Sequence, residues 1–165
     1  MLFRSYAAKI ERLPHTFYCA STHPIGEAPD RASTGLPEGA FVFCNFNNPE
    51  KFERVAFASW MRILARVERS VLWLSEFDNP AIAANLRMFA MANGIDPARL
   101  IFAKRVPDKA THLARHRYAG LLLDTFTLNA ATVALDALWS GLPVLTLAGP
   151  HFGSRLAAKI GRAHV

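Results

Sequence analysis

Residues 121–149, LLLDTFTLNAATVALDALWSGLPVLTLAG, spell a strand, a loop, a helix and a second strand, with a polar group at each junction. Leu121, Leu122 and Leu123 make a short buried strand that Asp124 and Thr125 close. Asn129 or Thr132 caps a helix whose apolar positions Val133, Leu135, Leu138 and Trp139 fall at helical spacing, and Gly141 stands where a helix end wants positive φ. Pro143 opens the second strand, 144–147. In an open parallel α/β sheet, a loop that leaves a strand's carboxyl end and enters a helix receives anions, because unpaired amides and the helix dipole both face them. This stretch is therefore the candidate phosphate seat, and Asp136, one turn into the helix, is placed to accept hydrogen bonds from ribose hydroxyls. By itself the stretch is equally compatible with a helix that binds nothing.

Working outward, Phe41-Val42-Phe43-Cys44 is a compact aromatic and β-branched run, the first strand of a parallel sheet buried on both faces. It ends at Asn45-Phe46-Asn47-Asn48, and Pro49 suits the first turn of a helix with Phe52, Val55, Ala56, Ser59, Trp60 and Ile63 facing inward. Lys51 then falls in that first turn, where a cation opposes the dipole unless an anion is bound; such a lysine is ordinarily plain surface. Residues 71–74 are a second strand and 80–93 a helix, with Leu86, Phe89, Ala90 and Met91 buried and Gly94 closing it. Residues 100–102 are a third strand. Lys109, His112 and Arg115 then recur every three residues on one helical face, either as a solvated face or as a polar patch lining a cleft. The alternation of strands and helices predicts an α/β domain, a Rossmann-like parallel sheet with helices on both faces.

The 165 residues, 52% of them hydrophobic, suffice for one core and leave no room for a second domain. No apolar run approaches the roughly 20 residues of a membrane span, and residues 1–10 lack a signal-peptide apolar stretch, so a cytoplasmic protein with no membrane partner is expected. Cys19 and Cys44 are too few for a disulfide framework and lack metal-ligand spacing, which predicts a loop thiol, a buried strand thiol and no metal site. The charge of +6 is spread among Asp and Glu without a basic run, which argues against a nucleic-acid partner.

The pattern N-x-x-T-x-x-x-D-A-L-W-x-G-x-P-V-x-T from Asn129 to Thr146 resembles the signature of the O-linked N-acetylglucosamine transferase family, the SPINDLY-like glycosyltransferases. Asn45-Phe46-Asn47 with Lys51, Ser70-Val71-Leu72-Trp73-Leu74, His112-Leu113-Ala114-Arg115, Leu123-Asp124-Thr125 and Ser154-Arg155 resemble it in the same order, and Leu13-Pro14-His15-Thr16-Phe17 resembles the segment leading in. The resemblance implies the carboxyl-terminal, nucleotide-sugar-binding lobe of a two-lobed GT-B enzyme. The acceptor lobe and any upstream tetratricopeptide repeats would be absent from it. The implied reaction inverts the anomeric centre without metal or cofactor, moving N-acetylglucosamine from its uridine diphosphate to Ser or Thr of an acceptor protein. Glucosyl transfer, or a nucleotide-binding scaffold that has lost catalysis, are the alternatives. The resemblance further implies that Lys51 contacts the phosphates and that Lys109, His112 and Arg115 surround uracil and ribose. The amides at Ala131, Thr132 and Val133 complete the phosphate site, and Asp136 serves the ribose.

Three positions depart from the family pattern. Asn48 stands where Gln is common, and Ala131 and Val133 replace His and Thr of a His-Thr-Thr helix start. These changes remove up to two side-chain donors, each of about 1–3 kcal/mol, and predict a weakened or altered nucleotide-sugar site. The ends form a separate expectation. Residues 1–5 and 160–165 resemble translations of opposed ends of one sequencing adapter, which would leave 6–38 as the end of a preceding lobe with its linker, and 39–159 as the nucleotide-sugar-binding lobe. Without Arg4 and Arg162 the basic residues fall from 19 to 17 against 13 acids, a charge of +4.

Overall fold

The computed structural model describes residues 22–162, and its sheet is built from the runs that carry the apolar side chains. The strands are β1 (Phe41–Asn45), β2 (Ser70–Ser75), β3 (Leu100–Ala103), β4 (Leu121–Leu123) and β5 (Val144–Leu145), all parallel in the order β3-β2-β1-β4-β5. Successive residues of a strand point to opposite faces. Phe43, Leu72, Leu74 and Leu123 accordingly join one apolar cluster, while Val42, Cys44, Val71, Trp73 and Leu122 join the other. Helices α1 (Arg54–Arg66) and α2 (Pro80–Ala92) contribute to the first cluster through Phe57, Trp60, Met61, Leu64 and Ala90. Three further helices follow: α3 (Lys109–Ala114), α4 (Thr132–Trp139) and α5 (Leu156–Arg162). Ala137 of α4 packs in the second cluster, and Ala134 meets Ala157 of α5. Helices on both faces of a parallel sheet are thus observed. The winding direction reverses between β1 and β4, and a doubly wound sheet opens a crevice at that point.

Several local expectations are corrected. Pro49–Lys51 is a separate 3₁₀ turn, after which extended backbone at Glu53 delays α1 to Arg54. Ala56 and Trp60 are buried and Phe52 and Ile63 pack against the core as expected, Phe57, Met61 and Leu64 join that inward face, and Val55 is 65% exposed. In α2 only Ala90 is buried, Leu86 and Phe89 pack partly against the core, and Met91 points outward. The cap position of α4 is Ala131, with no side-chain cap; Thr132 is already helical and Asn129 donates to the Thr125 carbonyl. The buried side of α4 is Ala134, Asp136 and Ala137, small enough to bring the helix close to its neighbours, whereas Trp139 is 46% exposed and donates to the His23 carbonyl. Gly141 does adopt φ +78°. At the carboxyl end Ile160 is buried, so the first residue of the adapter-like tail packs within α5. Residues 1–21 and 163–165, which hold Cys19, the 13–17 motif and most of the adapter-like ends, lie outside the described residues. No helix among the described residues is long and apolar enough to cross a membrane.

Candidate functional site

The crevice forms where the loops after β1 and β4 meet, and buried polar side chains tie them together. Asn45, fully buried at the end of β1, donates through Nδ2 to the Leu123 carbonyl at 2.7 Å and accepts from the Asn47 amide at 2.8 Å. The Lys51 ammonium donates to the Asn129 carbonyl at 3.1 Å. The Glu53 carboxylate accepts from the amides of Phe126 and Thr127 at 2.5 and 3.1 Å. Asp124, 2% exposed, accepts through Oδ1 from the amides of Thr125 and Ala130, both at 2.8 Å, and through Oδ2 from the Thr146 hydroxyl at 2.7 Å. Thr125 Oγ1 donates to the Leu128 carbonyl and Asn129 Nδ2 to that of Thr125, each at 2.6 Å. Residues 124–130 are therefore a closed, internally bonded loop that feeds α4. Burial pushes the Asp124 carboxyl up, against the downward pull of its hydrogen bonds and of Lys51. Burial likewise lowers the Lys51 ammonium, against the attraction of Asp124.

A second group gathers on α3 and the turn after it. Lys109 Nζ meets both carboxylate oxygens of Asp136 at 2.6 Å, and His112 Nε2 lies 3.6 Å from Oδ2. Arg115 Nη2 donates to His112 Nδ1 at 2.8 Å, so a neutral His112 ring carries its proton on Nε2, facing Asp136. Arg115 also donates to the Lys104 carbonyl at 3.1 Å and lies 4.2 Å over the Phe46 ring. Burial brings its guanidinium down to about 10. Burial would raise the Asp136 carboxyl, but hydrogen bonds from His112 and Lys109, with their charges, hold it below the ordinary carboxylate range. Phe46, Asn48, His112 and Arg115 line a cleft of about 810 Å³ that extends past Phe77 and Arg105 beyond the ends of β2 and β3.

The loops after β1 and β4 are thus tied together beside the start of α4, and a cationic and carboxylate network joins α3 to α4, with His112 and Arg115 lining the cleft; open α/β sheets bind ligands at such a switch point. The model for glycosyl transferase family 41 matches residues 7–162. The chain belongs to that family. Proteins similar to it include the UDP-N-acetylglucosamine–peptide N-acetylglucosaminyltransferase of Caenorhabditis elegans, 36% identical over 129 residues, which cover 78% of this chain and 11% of that protein. The probable enzyme of the same name, SEC, of Arabidopsis thaliana is 33% identical over 163 residues, covering 94% and 16%. The solved O-GlcNAc transferase mutant K341M of Thermobaculum terrenum superposes with a TM-score of 0.70 at 25% identity, over 83% of this chain and 27% of that one. The chain thus spans a small part of the length of the proteins it matches.

Within this family 41 lobe, the residues singled out from sequence fall into two groups. Lys109, His112, Arg115 and Asp136 meet in one contact network. Asn48 is exposed on the cleft rim. Lys51 sits in its own turn, not the first turn of a helix, and reaches across to Asn129, two residues before Ala131. Ala131, Thr132 and Val133 do begin α4, but Val133 turns its side chain onto the core. Sequence reasoning missed Asp124 and Glu53 as braces of the loop, and Phe46 as the surface under Arg115. A carboxylate at the end of an apolar strand was the available signal for Asp124; Glu53 and Phe46 carried none, because their partners lie more than 65 residues away.

Proposed function

We propose that this chain is the donor-binding part of a transferase that moves N-acetylglucosamine from its uridine diphosphate to Ser or Thr hydroxyls of proteins. The observation that carries the reading is the convergence of Lys109, His112, Arg115 and Asp136 into one contact network, of which His112 and Arg115 line the cleft. Asp136, held ionised, accepts from ribose hydroxyls, with Lys109 and His112 beside it as donors. Arg115, held 4.2 Å over the Phe46 ring, frames the base. As the glycosidic bond breaks, negative charge grows on the departing diphosphate, and Lys51 with the amides of Ala131, Thr132 and Val133 supplies the compensating positive charge. The reaction inverts the anomeric centre and uses no metal. The acceptor hydroxyl gives its proton to a group of the amino-terminal lobe or of the substrate, since no base in this chain is assigned to it.

Ala131 and Val133, which remove two donors, favour one further reading, a nucleotide-binding scaffold without turnover. Isothermal titration of the full-length gene product with UDP, then donor hydrolysis with UDP-N-acetylglucosamine and UDP-glucose, separates the possibilities. The enzyme binds UDP and hydrolyses the first donor faster; faster hydrolysis of the second marks a glucosyltransferase, and binding without hydrolysis marks the scaffold. Failure to bind UDP overturns the reading.

A further inference from the structure

Asp124 is a buried carboxylate beside the proposed phosphate site to which the reaction above gives no role. A negative charge there is costly to bury and repels an arriving diphosphate. What the carboxylate holds accounts for its presence. Oδ1 takes the amides of Thr125 and Ala130, and Oδ2 takes the hydroxyl of Thr146, just past β5. One side chain thereby pins both ends of the loop and the neighbouring strand end. Ala130 is fully buried and directly precedes Ala131, whose side chain provides no cap, so the height of the first amides of α4 depends on where Ala130 is fixed. The same loop presents the Asn129 carbonyl that receives the Lys51 ammonium.

We propose that Asp124 is a positioning residue for diphosphate recognition: by pinning Ala130 and closing the 124–130 loop, it sets the α4 amides and aims Lys51. The nucleoside is served by other segments, chiefly Lys109, His112, Arg115 and Asp136. Loss of Asp124 therefore affects the diphosphate and spares the nucleoside. The inference rests on the donor-site reading above.

The test compares UDP with uridine, titrated into the full-length gene product. Asp124→Ala is expected to weaken UDP about tenfold, the loss of roughly one charge-assisted hydrogen bond, and to change uridine by less than about twofold. Asp124→Asn keeps an oxygen that accepts from both amides and removes the repulsion, so UDP affinity returns to within about threefold of wild type. Parallel loss of UDP and uridine in Asp124→Ala, unchanged UDP binding, or an Asn variant as weak as the Ala variant each overturns the inference. If Asp124→Ala does not fold, Thr146→Val decides: a UDP affinity about threefold weaker with uridine unchanged supports it, and an unchanged ratio overturns it. Wild-type protein that does not bind UDP overturns the donor-site reading and this inference with it, whereas wild type that binds UDP beside insensitive variants overturns this inference alone.

Discussion

Lys51 is half-buried, with its ammonium on the Asn129 carbonyl and its pKa lowered by desolvation. A cation in a partly dry place strengthens most where charge is growing, so Lys51→Ala should lower turnover more than it weakens binding of the intact donor. About 3 kcal/mol, roughly a hundredfold in kcat, is the expected loss, read from steady-state kinetics against donor affinity. Asp136→Asn should instead act mainly on donor affinity, because ribose hydroxyls carry no developing charge; a kcat loss larger than the rise in KM would contradict that role. Ala131 and Val133 allow a gain-of-function check. Ala131→His combined with Val133→Thr should tighten UDP binding, and an affinity no better than wild type would place the phosphates elsewhere than at the start of α4.

At the scale of elements, the turn after α3 carries a pH dependence of its own. His116, 1% exposed, donates from Nδ1 to the His112 and Leu113 carbonyls and packs edge-on to Phe46. Burial, reinforced by the nearby charge of His112, lowers its pKa from 6.5 to about 4. Between those values the unfolded chain binds more protons than the folded one, so stability is full above about pH 6.5 and falls as pH drops toward about 4. The loss amounts to about 3 kcal/mol. His116→Phe should flatten the difference between denaturant midpoints at pH 7 and pH 4 by that amount; an unchanged slope would show that the ring is not buried neutral. Another element-scale test lies at the end of α4. Gly141 has φ +78° and open space around its Cα, so Gly141→Ala should cost about 1 kcal/mol of conformational strain alone, visible as a lower melting temperature with UDP affinity intact.

For the whole molecule, the crevice is assembled from loops that belong to different halves of the sheet and are joined by Asn45, Lys51 and Glu53. A ligand that bridges those loops binds the folded state alone. UDP at about one hundred times its Kd should therefore stabilise the full-length protein by about 2.7 kcal/mol, measured by calorimetric melting. Chelation of divalent cations should leave that increment unchanged if the diphosphate is neutralised by Lys51 and backbone amides, and its disappearance would reveal a metal requirement.

The parallel strands, the helices between them and the glycine end of α4 were legible in sequence, because apolar period and turn chemistry are local properties that few neighbours can override. So was the family, from short motifs in a fixed order. The inward face of α1 was legible in part, through Ala56, Trp60 and Ile63, whereas that of α4 was not. Extended backbone at Glu53 delays α1, whose buried face also takes in Phe57, Met61 and Leu64 and leaves Val55 exposed, and the close packing of Ala134 and Ala137 turns the larger Trp139 out to solvent. The polar triplet of Lys109, His112 and Arg115 was visible as a spacing, but its meaning came with Asp136, which only the tertiary structure sets against it. The bracing of the 124–130 loop by Asp124, Glu53 and Lys51 belongs wholly to the fold: Glu53 and Lys51 reach it over more than 70 residues of chain, and Asp124 is fixed to Thr146 only because β4 and β5 lie side by side. Local pattern thus determined the elements, and contacts between distant segments decided the site.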